Sequence, residues 1–335
     1  MKNILCKCAG LALCLFLLLM AGCVAIPSAL TALPAYSAGG ALIATPISSR
    51  GCDKSTPIRP RTSVLESMKS AGLTRSYLLY LPPDYHSASQ YPLVLNFHGY
   101  GSNAYQQAQR SAFTALAREQ DFIVAYPQGM RGPGGRTGWA TGLPFRPPVN
   151  DVLFVSDLLS HLQATLCIDP QRIYATGFSN GGGMTNLLAC KLAGRIAAFA
   201  PVSGSYPPAP GGCDPHHPAP IMEFHGTADP VVLYKGNPLK REPPVAFWLR
   251  QWASRDGCTK GPITFYRSGS VIGEQWTGCK GNATVIGYRI VGEGHRWPAV
   301  LFNIHTGKGV YPSTASEVIW SFFQTHPLGG PTPKS

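Results

Sequence analysis

Acidic side chains are scarce in this sequence: 16 Asp and Glu stand against 28 Lys and Arg, and charged residues make up only 13% of the 335 positions. So little charge excludes a coiled coil laced with surface ion pairs and a charge-rich disordered chain. The formal net charge of +12 favours contact with phosphates, anionic lipid or acidic polysaccharide. No dense basic run accompanies it. The nearest candidate, Lys240 and Arg241, is a lone pair close to Pro243 and Pro244, so nucleic acid is not an expected partner. No CxxC pair occurs, which removes the commonest zinc spacings, and His216-His217 sits in a Pro-rich stretch that reads as solvent-facing. No metal site is expected. Internal repeats are absent, and the longest apolar stretch at the start, residues 11–20, is short for a membrane span of about 20 residues.

Apolar residues, by contrast, reach 44%, with 37 Gly and 31 Pro, as befits a large buried core joined by long irregular loops. Lys2 and Lys7 followed by the apolar stretch read as an export signal over residues 1–23. Its end, Met20-Ala21-Gly22-Cys23, is similar to a bacterial lipobox with Met in place of the usual Leu, which makes Cys23 a candidate lipid anchor. A secreted or membrane-anchored extracellular protein is the expectation. Residues 24–60, rich in Ala, Ser, Pro and Gly without periodicity, read as a flexible linker. Cys52, Cys167, Cys190, Cys213, Cys258 and Cys279 then form an even set suited to three disulfides in an oxidising compartment. Of the many pairings, Cys258 with Cys279 is favoured by closeness in sequence and by the flanking Gly257 and Gly278.

From there strand-like and helix-like segments alternate. Residues 75–81 and 91–97 read as strands, 111–120 as helix, 122–126 as strand, 151–166 as helix and 172–176 as strand. A helix after Ser179, strands at 197–202 and 221–225, a helix at 245–255, a strand at 283–291 and a closing helix at 314–325 follow. Such alternation predicts an α/β fold, a mostly parallel central sheet with helices on both faces, forming a single domain over residues 61–328 with a tail at 329–335. Ligands of such sheets bind beyond the carboxyl ends of the strands. The Gly/Pro-rich stretches 128–148 and 206–220 follow strands and should overhang that edge as candidate substrate loops.

Gly177-Phe178-Ser179-Asn180-Gly181 matches G-x-S-x-G between a predicted strand and a predicted helix. In that turn the serine hydroxyl projects over the sheet edge, and the helix start offers N–H groups to a developing oxyanion. A hydroxyl becomes a useful nucleophile only when a base takes its proton. His295, in Gly292-Glu293-Gly294-His295-Arg296-Trp297-Pro298 after the last predicted strand, is the expected base; His305 and His326 are its rivals and read as surface histidines. Asp229, in the turn after strand 221–225, is the expected acid that orients His295. Asp256 lies at a helix end and Glu293 is too local, while His98 reads as a loop brace and His225 as structural. The backbone N–H groups of Tyr100 and Asn180 are the expected oxyanion donors.

With these residues in place, the chain resembles the secreted esterase family containing feruloyl esterases and polyhydroxybutyrate depolymerase-like lipoproteins. The likeness is carried by Tyr-Leu-Leu-Tyr-Leu-Pro at 77–82, Phe-His-Gly at 97–99, Gly-Phe-Ser-Asn-Gly-Gly at 177–182, His-Gly-Thr-Ala-Asp at 225–229 and Gly-His-Arg-Trp-Pro at 294–298. It implies an α/β-hydrolase fold and Ser-Asp-His catalysis through an acyl-enzyme, on Ser179, Asp229 and His295, with no cofactor. Arg296 stands where relatives often carry Thr. Trp139, Phe178 and Trp297, together with Phe145 and Tyr206, are the candidates for an aromatic-acyl pocket, with burial in the core as the equal alternative. Feruloyl or related hydroxycinnamoyl esters on plant cell-wall polysaccharide are the first expected substrates. Polyhydroxybutyrate or acetylated xylan is the alternative within the same chemistry, and a catalytically silent binding protein is the alternative of another class. No obligate protein partner is inferred.

Overall fold

The computed structural model describes residues 44–56, 58–142, 148–299, 302–306 and 309–330, together with Leu42 and Phe145. The expected export signal and the candidate anchor Cys23 lie outside the described residues.

In chain order the elements are β1 (Ser63–Ser70), β2 (Leu73–Tyr80), β3 (Tyr91–Phe97), α1 (Ala104–Ser111), α2 (Phe113–Gln120), β4 (Ile123–Pro127), β5 (Met130–Arg131), β6 (Thr137–Gly138), α3 (Asp151–Thr165) and β7 (Ile168–Phe178). There follow α4 (Asn180–Leu192), β8 (Ala198–Val202), β9 (Ile221–Gly226), α5 (Val245–Arg255), β10 (Lys260–Ser268), β11 (Val271–Thr277), β12 (Val285–Ile290), β13 (Phe302–Thr306), β14 (Gly309–Ser313) and α6 (Ala315–Gln324). One large sheet runs β1-β2-β4-β3-β7-β8-β9-β12-β11-β10. From β4 through β12 neighbouring strands are parallel; the outer pairs at both ends are antiparallel.

Because the central strands are buried on both faces, they read as continuous apolar runs such as Tyr91–Phe97, every residue of which is buried. One face packs Phe154, Leu158 and Leu162 of α3, Leu187 and Leu188 of α4, and Trp248 and Trp252 of α5. The other packs Ala104 of α1, Phe113 and Ala117 of α2, and Ile319, Trp320 and Phe323 of α6. This is the α/β-hydrolase arrangement expected from the sequence.

Three readings need correction. The helix expected at 111–120 begins only at Phe113, as α2, and is preceded by the unexpected helix α1, which Ala112, left-handed at φ 53°, brings to an end. The described part of the expected flexible linker is tied down: Cys52 is bonded to Cys167, Arg50 N and Gly51 N donate to Gln163 O at 2.7 and 3.0 Å, and Ser49 Oγ donates to Leu166 O at 2.5 Å. Backbone bonds of this kind fix a chain whose composition alone suggests freedom. Strands β1, β10 and β11 are additional to those expected; β10 is almost entirely solvent-exposed and carries no alternating burial pattern. The three disulfides are Cys52–Cys167, Cys190–Cys213 and the expected Cys258–Cys279.

Candidate active site

Strand β7 ends at Phe178 and α4 begins at Asn180, leaving Ser179 alone in the turn at φ 58°, ψ −118°. A non-glycine residue with positive φ is strained and persists only where its surroundings hold it. Here Ser179 N donates to Val202 O at 3.0 Å, and Ser179 O accepts from Gly183 N at 3.0 Å and Ser205 N at 3.2 Å. The glycines of the motif have a packing reason. A Cβ on Gly181 would lie 2.1 Å from Phe97 O, and one on Gly177 would lie 2.5 Å from Gly181 O. Strand β3, the turn and α4 therefore approach more closely than any side chain permits.

Asp229 follows β9 and His295 follows β12, two strands paired in parallel, so both residues lie at the strand ends where Ser179 follows β7. Backbone bonds join the two loops: Ala228 N donates to Glu293 O and Thr227 N to Ile290 O, each at 2.9 Å. Asp229 Oδ1 accepts from Val231 N at 2.8 Å and Val232 N at 2.9 Å, while Oδ2 accepts from His295 Nδ1 at 2.7 Å. Burial alone would push the Asp229 carboxyl up, yet the donors on His225, His295, Val232 and Val231 hold it well below the usual carboxylate range. It is an anion that fixes the His295 tautomer with Nδ1 protonated and Nε2 free to take a proton. The His295 ring lies 4.7 Å, centroid to centroid, from that of Phe178, the residue before Ser179.

Ser179, Asn180 and Tyr100 line one cavity of about 390 Å³ with Thr141, Gly142, Ser205, Pro207, Val231, Val232, Lys240 and Glu242. The Tyr100 hydroxyl donates to Pro133 O, and the Asn180 amide ties down the opposite loop, accepting from Trp139 N at 2.7 Å and donating to Thr141 Oγ1 at 3.0 Å. Tyr100 and Asn180, the residues expected to supply oxyanion donors, thus both line the cavity that holds Ser179. His98 braces the Tyr100 loop: its Nδ1 donates to Gly99 O at 2.7 Å and its Nε2 accepts from Gly129 N at 2.9 Å. Burial lowers its pKa to about 4, which keeps it neutral in that role.

Among the described residues, the rings expected to form an aromatic pocket do not line this cavity. Trp139 is fully buried, packed edge-on against Phe97 with its indole N–H donated to His98 O at 2.8 Å. Trp297 donates to Ser316 Oγ at 3.0 Å and packs on Phe113. Phe178 is covered by His295 and by the Arg110 guanidinium, 4.6 Å from its ring centroid. Phe145 is buried, and Tyr206 stacks on Trp248. These rings face the core because large apolar surface gains most from burial there. Sequence reasoning missed Thr141, Ser205, Val231, Val232, Lys240 and Glu242. The overhanging loops 128–148 and 206–220 do supply Thr141, Gly142 and Pro207, whereas Lys240 and Glu242 come from a turn closed by the mutual backbone bonds of Asn237 and Glu242, each 2.9 Å. His326, expected at the surface, is buried and bonded to Thr284 Oγ1 and Phe322 O. Side chains of β13, and with them His305, are outside what the structure describes.

Residues 75–233 match the family model described as Esterase PHB depolymerase. The chain is 33% identical over 237 residues to Feruloyl esterase B of Piromyces equi, an overlap of 66% of this chain and 42% of that protein, so it spans well under two thirds of that relative's length. It is 30% identical to Feruloyl esterase D of Neurospora crassa, over 61% of this chain and 67% of the relative. Among solved structures, the acetyl xylan esterase from Aspergillus awamori shares the fold at a TM-score of 0.54 and 14% identity, covering 78% of this chain and 99% of that one. Sequence likeness at this level, on a shared fold, makes the chain a member of the esterase family that contains the feruloyl esterases and the polyhydroxybutyrate depolymerase-like esterases.

Proposed function

We propose that the protein is a serine carboxylic-ester hydrolase acting through an acyl-enzyme on hydroxycinnamoyl esters of plant cell-wall polysaccharide. The observation that carries the chemistry is the 2.7 Å bond from His295 Nδ1 to Asp229 Oδ2 at the sheet edge where Ser179 stands in a strained strand-to-helix turn. His295 Nε2 takes the Ser179 proton as Oγ attacks the ester carbonyl carbon. The carbonyl oxygen becomes an oxyanion facing the N–H groups of Tyr100 and Asn180. Collapse breaks the bond to the alcohol oxygen, which leaves with the proton returned by His295, and the acyl group stays on Ser179. Water, deprotonated by His295, then attacks the acyl carbon; Oγ leaves, takes the proton, and the free acid departs.

The substrate class is supported by the named activities of the feruloyl esterase relatives. The cavity fits it: Tyr100, Pro207, Val231 and Val232 offer apolar walls for a flat aryl group, and Thr141, Ser205 and Glu242 offer polar partners for its hydroxyl. Its volume of about 390 Å³ lies in the range usual for small-molecule sites, about 300–1,000 Å³. The three disulfides belong to an oxidising compartment, which accords with work outside the cytoplasm. Attachment through a lipidated Cys23 is proposed from the sequence pattern alone.

The test is ester hydrolysis by the parent and by Ser179→Ala on methyl ferulate, an acetylated xylan and short hydroxybutyrate oligomers. The expected result is a preference for methyl ferulate that falls by a factor of about 10³ or more in the variant. Preference for either other ester keeps the chemistry and changes the substrate. Turnover surviving in Ser179→Ala would remove the nucleophile.

A further inference from the structure

Behind the Asp229–His295 pair lies a second, fully buried histidine. His225, 1% exposed at the end of β9, has its Nε2 2.9 Å from Val232 O and 3.4 Å from Asp229 Oδ2. Its Nδ1 lies 2.9 Å from Glu223 Oε1, which also accepts the Tyr206 hydroxyl at 3.0 Å. A carbonyl can only accept, so Nε2 carries a proton; an ionised Glu223, which can only accept, takes a second proton donated by Nδ1 as well as the Tyr206 O–H. The ring is buried between the carboxyl groups of Glu223 and Asp229. Tyr206, Glu223, His225, Asp229 and His295 form one continuous polar chain from beside β8 to the candidate site.

We infer that His225 is a positioning residue that holds Asp229 from behind and, through its positive charge, sets the basicity of His295. The inference rests on the triad reading above. A cation on the far side of the Asp229 carboxylate offsets part of the negative field that the carboxylate places on His295. Burial by itself would push the His225 pKa down, but Glu223 and Asp229 outweigh it and raise it to about 10, so the charge persists across the working range. The other titratable groups around His225 are Tyr234, whose ring is 5.9 Å away, and Arg289 at the register-paired position on β12. Around His295, Glu293 and Arg296 share its loop, and Arg110 lies beyond the Phe178 ring.

Two measurements test this. In the native protein labelled with ¹⁵N-histidine, one imidazole should keep both ring nitrogens protonated at pH 8, and Glu223→Gln should lower the pH at which it loses a proton. In His225→Gln, the acidic limb of kcat/KM for methyl ferulate should move up by about one pH unit, roughly a tenfold loss of active fraction below the limb. A role confined to packing would lower kcat and leave the limb in place. A folded His225→Gln with an unmoved limb overturns the inference, as does a spectrum in which every histidine is neutral at pH 8. The spectrum needs no turnover, so it reads the His225 charge even if Ser179→Ala were to remain active and the triad reading fell.

Discussion

Asp256 illustrates how a single residue can work against the fold. Its side chain is buried directly after α5, where the helix C-terminus is already partly negative. Oδ1 accepts from Ala219 N at 2.9 Å, while Oδ2 has no hydrogen-bond partner among the described residues. Burial raises its pKa to about 7, against the opposing pull of the Ala219 N–H and the Arg255 charge. The folded protein therefore holds this proton where the unfolded chain, with a pKa of about 4, has released it. The associated stability is full below about pH 4 and is lost as pH rises towards 7. Asp256→Asn keeps the acceptor for Ala219 and removes the charge, so it should be the more stable form at pH 8, on the order of a few kcal/mol, with little difference at pH 4. Urea midpoints at the two pH values measure this; an equal gap at both would contradict it. As a sequence feature Asp256 was merely a carboxylate at a helix end, because burial is invisible until the neighbouring loop packs over it.

At the scale of elements, the junction of β7 with α4 depends on close backbone approach. Gly181→Ala would force a methyl to within 2.1 Å of Phe97 O and 2.6 Å of His98 O, both backbone atoms that cannot swing aside. The expected cost is at least about 1–3 kcal/mol, with lost turnover as α4 shifts away from β3 and carries Ser179 with it. Thermal unfolding and kcat on one preparation check this, and an unshifted midpoint would show that the junction yields. This element was legible because its requirement for glycine is written at fixed spacing. Strand β10 was not, since its residues are almost all exposed and nothing in solvent selects an alternating pattern. The break at Ala112 was equally hidden, because alanine favours helix and only tertiary packing holds it at positive φ.

For the whole molecule, the bond from Cys52 to Cys167 closes a loop of 115 residues and pins the chain ahead of the first strand to the end of α3. In the chain-entropy account such a loop is worth about 4–5 kcal/mol. Cys52→Ser with Cys167→Ser should lower the unfolding midpoint accordingly and leave turnover at room temperature near the parent's, since neither cysteine borders the cavity. Arg75 and Asp151 join β2 to α3 at 2.7 Å, both almost fully buried. Arg75→Ala leaves the buried Asp151 charge with Ala140 N as its remaining donor among the described residues, and a loss of about 3–5 kcal/mol in denaturant unfolding is expected. A loss near zero would mean that water reaches the carboxylate.

What the sequence determined by itself was the kind of fold and the identity of the candidate reacting groups. Buried parallel strands must be apolar along their length, and the turn bearing Ser179 must have glycine where backbones touch; both constraints act over a few adjacent residues and so leave a local signature. The tertiary structure alone decided which residues border the serine. The aromatic rings expected there went to the core, where they bury the most surface, and Thr141, Ser205, Val231, Lys240 and Glu242 came together from separate segments that share no spacing rule. The buried His225 between Glu223 and Asp229 is of the same kind: its place in a motif was visible, but its charge follows from groups on both sides that only the folded chain assembles.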